Sequence, residues 1–438
     1  MSSNKCYFTT LEKVERYPDP EINRIAIGQV DGNNVVVGID SKVGITGLLF
    51  YPDCILTDEF ISLSGLPEKN FSKKRIKVSR FKGVYSEALF VPLTKEEIFA
   101  YTGTEYDLGE SVIEEKIYKV YVPVIKASRS QPNQAGGKFK RGVLPLFPMH
   151  FDTQQFRSSI KEIKRKFDSG WSVSVSIKRH GTSARTGHIR VPKDFTLFEK
   201  AKMNVLKFFR RDWKTFASKI EERNYHIPGE YEIVNGSRRV ILTQEKRDSD
   251  NGYHSISFRD KTSYFSKLLK KDVVVFYEIF GWENESTPIM AKGPNGFYDY
   301  GLSPGEFGIQ VYRITINEED LSPVKMEEYS ISELNLAPVQ RITPILDTDD
   351  CSWEEIFAAI MEAYESSRTH KAIIYIDEGT NARIRPYSHV NEGVVVRMDP
   401  PAGVNVPPVF YKLKTPEFYE EEGKIKAADL AKLEIEQE

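Results

Sequence analysis

Trp171-Ser172-Val173-Ser174-Val175-Ser176-Ile177-Lys178-Arg179-His180-Gly181-Thr182-Ser183-Ala184-Arg185 is the stretch that decides how this chain is read. Residues 171–177 have the pattern of a strand, and the strand ends at a lysine. A turn of small residues follows. Gly181, Thr182 and Ser183 allow a phosphate to come close to the backbone, and Arg185 adds a fixed positive charge suited to phosphate oxygens. The order GxxxxGK[ST] is absent, so this is not a P-loop, and GxGxxG is absent too. Taken alone, the segment is equally a lysine before an ordinary turn.

Working outward, further segments repeat the theme of a charged residue in an apolar strand. Phe276-Tyr277-Glu278-Ile279-Phe280-Gly281 sets one acid among apolar neighbours, and acids are rarely buried without a partner. Asn391-Glu392-Gly393-Val394-Val395-Val396-Arg397 does the same. Tyr411-Lys412-Leu413-Lys414 puts two lysines on one face of a strand, because strand side chains alternate. Each segment is weak by itself.

In this order the segments are recognisable. The chain resembles the covalent nucleotidyltransferase superfamily of polynucleotide ligases and messenger-RNA capping enzymes over about residues 145–418. Lys178-Arg179-His180-Gly181 resembles the family's KxxG motif. Asn235-Gly236-Ser237-Arg238-Arg239 resembles its arginine motif, and Glu278 its glutamate in a strand. Val311-Tyr312-Arg313-Ile314 resembles the aromatic strand, Glu392-Gly393 the EG motif, and Lys412 with Lys414 the KxK motif. The finer resemblance is to RNA ligases, through His180-Gly181-Thr182 and Asp299-Tyr300-Gly301. Ile25–Gly32 and Gly83–Leu93 resemble, more loosely, the OB domain of RNA ligases that carry it ahead of the catalytic domain. DNA ligases and capping enzymes place an OB domain after the KxK motif, and residues 415–438 are too few for such a barrel.

The resemblance implies a fold and a chemistry. The expected fold is α+β: a nucleotidyltransferase (ATP-grasp-like ligase) domain of antiparallel sheets with helices at 145–438. An OB-like β-barrel at 1–125 and a linker at 126–144 precede it. The implied reaction is ATP-dependent RNA ligation, joining 3′-OH and 5′-phosphate ends in RNA repair or processing. Lys178 attacks the ATP α-phosphate, AMP passes to the 5′-phosphate end, and the 3′-hydroxyl then expels AMP. Lys178, Lys412, Lys414 and Arg185 are the implied catalytic set. Ile177, Arg238, Glu278 and Tyr312 are implied to contact nucleotide, with Tyr312 stacking on adenine. Glu392 and Glu278 are implied to hold Mg²⁺ or Mn²⁺. The alternatives are a DNA ligase, a GTP-dependent capping-type enzyme, and a non-catalytic nucleic-acid-binding relative.

The chemistry poses a protonation problem. A free lysine has a pKa of about 10.4, so well under about one in a hundred is the neutral amine at pH 7. Nearby cations lower it, and Lys412, Lys414, Arg185 and a divalent metal are the candidates.

Composition bounds the rest. The chain has 438 residues, 40% hydrophobic and 28% charged, with net charge −2. That is the balance of a globular protein of two or three domains. Nucleic acid would therefore be met through local basic patches. One such patch is the expected long helical stretch Phe198–Ile220, where Lys200, Lys202, Lys207, Arg210, Arg211, Lys214 and Lys219 alternate with Phe208, Phe209, Trp213 and Phe216. It reads either as a clamp on phosphates or as a solvated basic face. In the N-terminal region Arg75, Lys77, Arg80, Lys82 and Tyr85 are candidates to bind a nucleic-acid end. RNA is the expected partner, with an RNA/DNA hybrid or nicked duplex as variants. No run approaches the roughly 20 apolar residues of a membrane helix. Cys6, Cys54 and Cys351 are scattered, arguing against disulfides and a thiolate metal site. A cytoplasmic monomer is expected.

Overall fold

The computed structural model describes residues 5–419 apart from 82, 121–146, 149, 151–152, 210–211, 226, 239–240, 243–255, 291–297, 348, 350, 370–371, 377–381, 387–389 and 405. The expected linker 126–144 and Arg239 lie outside the described residues. The chain clusters into two compact units. The first comprises Met1–Ala135, Gln154–Ser169 and Tyr411–Glu438; the second comprises Gly136–Thr153 and Gly170–Phe410.

In chain order, the first unit contains β1 (Cys6–Thr10), β2 (Lys13–Arg16), β3 (Ile25–Val30), β4 (Asn33–Gly38), β5 (Thr46–Phe50) and β6 (Cys54–Leu56). It continues with α1 (Asp58–Leu63), α2 (Glu68–Phe71), β7 (Ser79–Phe81), β8 (Val84–Ser86), β9 (Leu89–Pro92), α3 (Lys95–Thr102) and β10 (Tyr118–Val120). A short β11 (Gln154–Gln155), a 3₁₀ turn Arg157–Ser159 and α4 (Ile160–Asp168) complete it. The strands form a β1-β5-β9 sheet, a β2-β3-β4 sheet and the pairs β6-β10 and β7-β8. Every one of these pairings is antiparallel. Among the described residues the pairings close no barrel, so antiparallel sheets are what the structure shows here.

The alternation along these strands explains their burial. In β4, Asn33, Val35 and Val37 are buried while Asn34 and Gly38 are exposed. The Asp31-Gly32 turn before it is left-handed, with φ of 46° and 69°, where glycine carries no steric penalty. Within this unit Tyr51 donates its hydroxyl to the carbonyl of Arg157 at 2.9 Å, and Tyr7 donates to that of Ser158 at 2.8 Å.

The second unit contains β12 (Ser172–Lys178), β13 (Thr182–Pro192), α5 (Leu197–Phe208), α6 (Trp213–Tyr225), β14 (Pro228–Ser237) and β15 (Ile241–Leu242). There follow α7 (Ile256–Thr262), β16 (Val273–Asn284), β17 (Thr287–Pro288), β18 (Phe307–Ile316), β19 (Glu319–Asp320), α8 (Pro323–Ser332), α9 (Trp353–Thr369), β20 (Ala372–Ile376), β21 (Ala382–Pro386) and β22 (Gly393–Asp399). β23 (Val409–Lys414) begins in this unit and ends in the first. The large sheet runs β15-β14-β13-β16-β18-β19, with β17 on β16. β12 pairs antiparallel with β22 in a separate sheet. One core packs Val273, Val275, Tyr277 and Ile279 of β16 against Ile309, Val311 and Ile314 of β18. Ser352 caps α9: its hydroxyl accepts from the Glu355 backbone at 3.3 Å, and Glu355 accepts from the Ser352 backbone at 2.8 Å, the capping box that Ser-Trp-Glu-Glu predicts.

One expectation is corrected. The single helical stretch 198–220 is two helices. Thr196 caps α5 by a capping box with Glu199. Asp212 accepts from the Thr215 backbone at 3.2 Å and its hydroxyl at 2.6 Å, starting α6 afresh. No helix among the described residues is long and apolar enough to cross a membrane.

Candidate active site

Beta strand geometry builds the site. In β12, Val173, Val175 and Ile177 are buried on one face, while Ser174, Ser176 and Lys178 line a cavity of about 610 Å³ on the other. The short serines leave space, and Lys178 closes the row. Lys178 pairs with Gly393 across the β12-β22 register, so the preceding residue, Glu392, arrives beside the lysine. Lys178 Nζ lies 2.9 Å from Glu392 Oε2, with the glutamate side chain only 3% exposed. A charged lysine and a buried carboxylate each offset the other's desolvation at this distance.

β13 brings the second acid. Ser183 is opposite Glu278 of β16, and Glu278 lines the same cavity. Burial pushes the Glu278 carboxyl up to about 7; Lys178 pulls it down and Glu392 pushes it further up. The turn between β12 and β13 leaves no room at Gly181, where a Cβ would stand 2.3 Å from the carbonyl oxygen of Ile279. His180 Nδ1 lies 3.5 Å from Glu392, its ring meets Tyr298 edge-on at 4.8 Å, and its backbone N–H donates to the Tyr300 hydroxyl at 2.6 Å. The Asp299-Tyr300-Gly301 segment thus braces the turn after Lys178. Arg179 is buried, donating to Gln310 at 3.1 Å and stacking over Tyr300 at 5.2 Å.

Opposite these groups is an aromatic corner. The Tyr312 hydroxyl and Ser183 Oγ share a 2.7 Å hydrogen bond. His150 lies 4.9 Å from the Tyr312 ring and 5.7 Å from that of Phe410. Burial holds the His150 imidazole down at about 3, and Arg313, Arg238, Lys178 and Arg185 act in the same direction. It is a neutral ring at pH 7. Arg238 lines the cavity as well.

The structure therefore brings Lys178, Glu278, Glu392, Arg238 and Tyr312 to one cavity. It does not bring Ile177 or Arg185 to the wall. Ile177 packs in the core and its backbone donates to Gln340 at 2.9 Å. Arg185 is 1% exposed, its guanidinium over the Phe147 ring at 4.3 Å and donating to the carbonyls of Phe147 and Pro148. Lys412 and Lys414 belong to the first unit. There they line a small cavity of about 40 Å³ with Tyr51, Asp53 and Arg157, and Lys414 lies over the Phe418 ring at 4.7 Å. Sequence reading missed Ser174, Ser176, Arg179 and His150. The alternation of β12 marks the two serines; nothing local marks His150.

Two carboxylates suit one kind of metal site. Mg²⁺ keeps several waters and is usually held by one or two carboxylates plus substrate phosphates. Glu392 and Glu278, which line the same cavity, fit that pattern.

Antiparallel sheets with helices surround a lysine at the end of β12, Glu278 in β16 and Glu392 just before β22. Solved RNA ligases share this fold. A Naegleria gruberi RNA ligase with a lysine-to-methionine substitution, with AMP and Mn, matches at a TM-score of 0.52 and 14% identity, covering 96% of this chain and 99% of that chain. The Naegleria gruberi RNA ligase with PPi matches at 0.51 and 14%, over 96% and 99%. An apo aspartate-to-alanine variant matches at 0.51 and 16%, over 97% and 99%. At these identities the likeness is one of fold. No protein-family model matches the sequence, and no curated protein matches it.

Proposed function

We propose that this protein is an ATP-dependent RNA ligase working through a lysyl-AMP intermediate on Lys178. The observation that carries the proposal is Lys178 Nζ at the end of β12, 2.9 Å from buried Glu392 in a cavity that also holds Glu278. The fold it shares with RNA ligases solved with AMP, Mn and PPi supports it.

Lys178 attacks the α-phosphorus of ATP. A P–N bond forms, the bond to the β-phosphate oxygen breaks, and pyrophosphate leaves. The AMP then passes to a 5′-phosphate end, and a 3′-hydroxyl displaces it to seal the strand. Lys178 Nζ is held 2.9 Å from Glu392 Oε2, so that contact must open for the amine to reach the α-phosphorus. Glu392 and Glu278 would hold Mg²⁺ or Mn²⁺, which would supply positive charge to the phosphate oxygens. Tyr312 and the neutral His150 form the corner that takes the base, offering flat faces. Arg238 is assigned to phosphate. Lys412 and Lys414 are assigned to the triphosphate on their KxK spacing alone. Arg185 acts indirectly, tying down the 147–148 backbone beside His150.

The sheets of the first unit are assigned to an OB-type module that binds the RNA end. Arg80 over Tyr85 at 5.3 Å is a cation–ring pair of the sort such surfaces use. A monomer in a reducing cytoplasm is the setting we assign, in keeping with three cysteines scattered at positions 6, 54 and 351. The test is ligation of RNA carrying a 3′-hydroxyl and a 5′-phosphate, with ATP and Mg²⁺. Joined product with ATP, little with GTP, and none with a 5′-hydroxyl end is expected. Absence of product with every RNA and nucleotide tried would overturn the proposal.

A further inference from the structure

The α5–α6 hairpin plays no part in the chemistry above. Between residues 197 and 225 the sequence holds eight Lys and Arg against four Asp and Glu, in a chain of net charge −2. One acid is already neutralised: Glu199 pairs with Arg223 at 2.6 Å. Along α5, Leu197 is 87% exposed, Phe198 78% and Phe208 81%, and helical spacing sets them on one side. Three large apolar side chains this exposed on one side mark a binding surface rather than a solvated face. Cations already lie on the neighbouring rings: Lys202 over Phe216 at 4.9 Å and Lys207 over Trp213 at 4.5 Å.

The hairpin's place in the unit is informative. β13 leaves the cavity at Thr182 and Ser183 and runs to Pro192, just before α5; β14 returns from Pro228 to Ser237 at the cavity wall. At about 3.3 Å per residue the hairpin stands about 30 Å from the cavity along β13. A nucleic-acid strand advancing about 3.4 Å per nucleotide covers that in about nine nucleotides.

We infer that the α5–α6 hairpin is a second RNA-binding surface, which grips a strand on the order of nine nucleotides from the reacting end. The inference rests on the ligase reading for the identity of the polynucleotide. Lysines take the phosphates while Phe198 and Phe208 offer faces for bases, the combination that binds single strands without sequence preference. A basic helix with an exposed apolar stripe also suits a lipid surface. RNA is favoured because the hairpin is carried on the two strands that form the cavity wall, and because its lysines lie over aromatic rings.

The test uses the full-length protein and a Phe198→Ala/Phe208→Ala variant. Fluorescence anisotropy with a 20-nucleotide RNA is expected to show binding at least about tenfold weaker in the variant, at about 1–3 kcal/mol per lost stack. With a 6-nucleotide RNA the two proteins should bind alike. Labelling of Lys178 by ATP should be equal, which shows that the variant is folded. Lys202→Glu/Lys207→Glu should make the salt dependence of binding shallower. Equal affinity of wild type and variants for the 20-mer overturns the inference. So does unchanged RNA binding with lost sedimentation on phosphatidylserine vesicles, which would mark a lipid face. A wild type that binds RNA through the hairpin but never takes AMP would sink the ligase proposal and leave this one standing.

Discussion

The wall around Lys178 and the α5–α6 hairpin are both rich in cations, and they handle them in opposite ways. At the wall, register does the work: Lys178 opposite Gly393 and Ser183 opposite Glu278 bring one lysine and two acids to one cavity. On the hairpin, lysines and phenylalanines face solvent with little packing behind them. Buried charge at fixed distance is sensitive to single atoms; exposed charge acts by sum and is screened by salt. The contrast fits the two proposals, chemistry at the wall and a long ligand on the hairpin. It also orders what mutation should do.

The largest effect after loss of the lysine itself is expected at Glu392. Glu392→Gln keeps the shape but removes the charge, and AMP transfer to the enzyme should fall by about 10²-fold or more, the scale for a lost electrostatic group in a dry site. Loss of less than about threefold would mean that the ion pair is structural. Next is Gly181→Ala. Its Cβ would press on the Ile279 carbonyl at 2.3 Å, against backbone that cannot step aside. About 1–3 kcal/mol of destabilisation and slowed labelling are expected in urea unfolding and labelling assays. Unchanged stability would show that the turn is looser than the contact implies.

Glu278 gives a pH test. Its carboxyl is raised from 4.5 to about 7 by burial, so the folded state holds the proton more tightly than the unfolded state. The stability this contributes is complete below about pH 4.5 and is lost as pH rises through about 7. Glu278→Gln stays neutral throughout. Its melting temperature relative to wild type should therefore climb between pH 5 and pH 8, while its labelling activity falls. A difference that stays flat over that range would contradict the buried assignment. The smallest effect is on the hairpin, where Phe198→Ala should change stability by no more than about 0.5 kcal/mol by chemical denaturation. A larger loss would mean that the ring is packed rather than exposed.

The residues that meet at the candidate site are legible where their signal is local. Lys178 at a strand end, Glu278 in an apolar strand and Glu392 before Gly393 are each signalled by their immediate neighbours, and the register brought them together. His150 was not legible, because it reaches Tyr312 through tertiary folding rather than spacing. The placement of Arg185 off the cavity wall was not legible for the same reason. Two residues beyond Ser183 it shares a strand face with a cavity residue, yet the Phe147–Pro148 backbone covers it. Individual N-terminal strands could be read from alternation, but barrel closure depends on pairings between distant strands that alternation does not specify. The break between α5 and α6 had a visible signal in Asp212, a residue that prefers caps to helix interiors.

The most direct measurement is incubation of the protein with Mg²⁺ and α-labelled ATP, beside Lys178→Ala, followed by denaturing electrophoresis. Label on the wild-type chain, none on the variant, and release of the label by added pyrophosphate are expected. Label on both chains, or on neither, would contradict Lys178 as the residue that carries AMP.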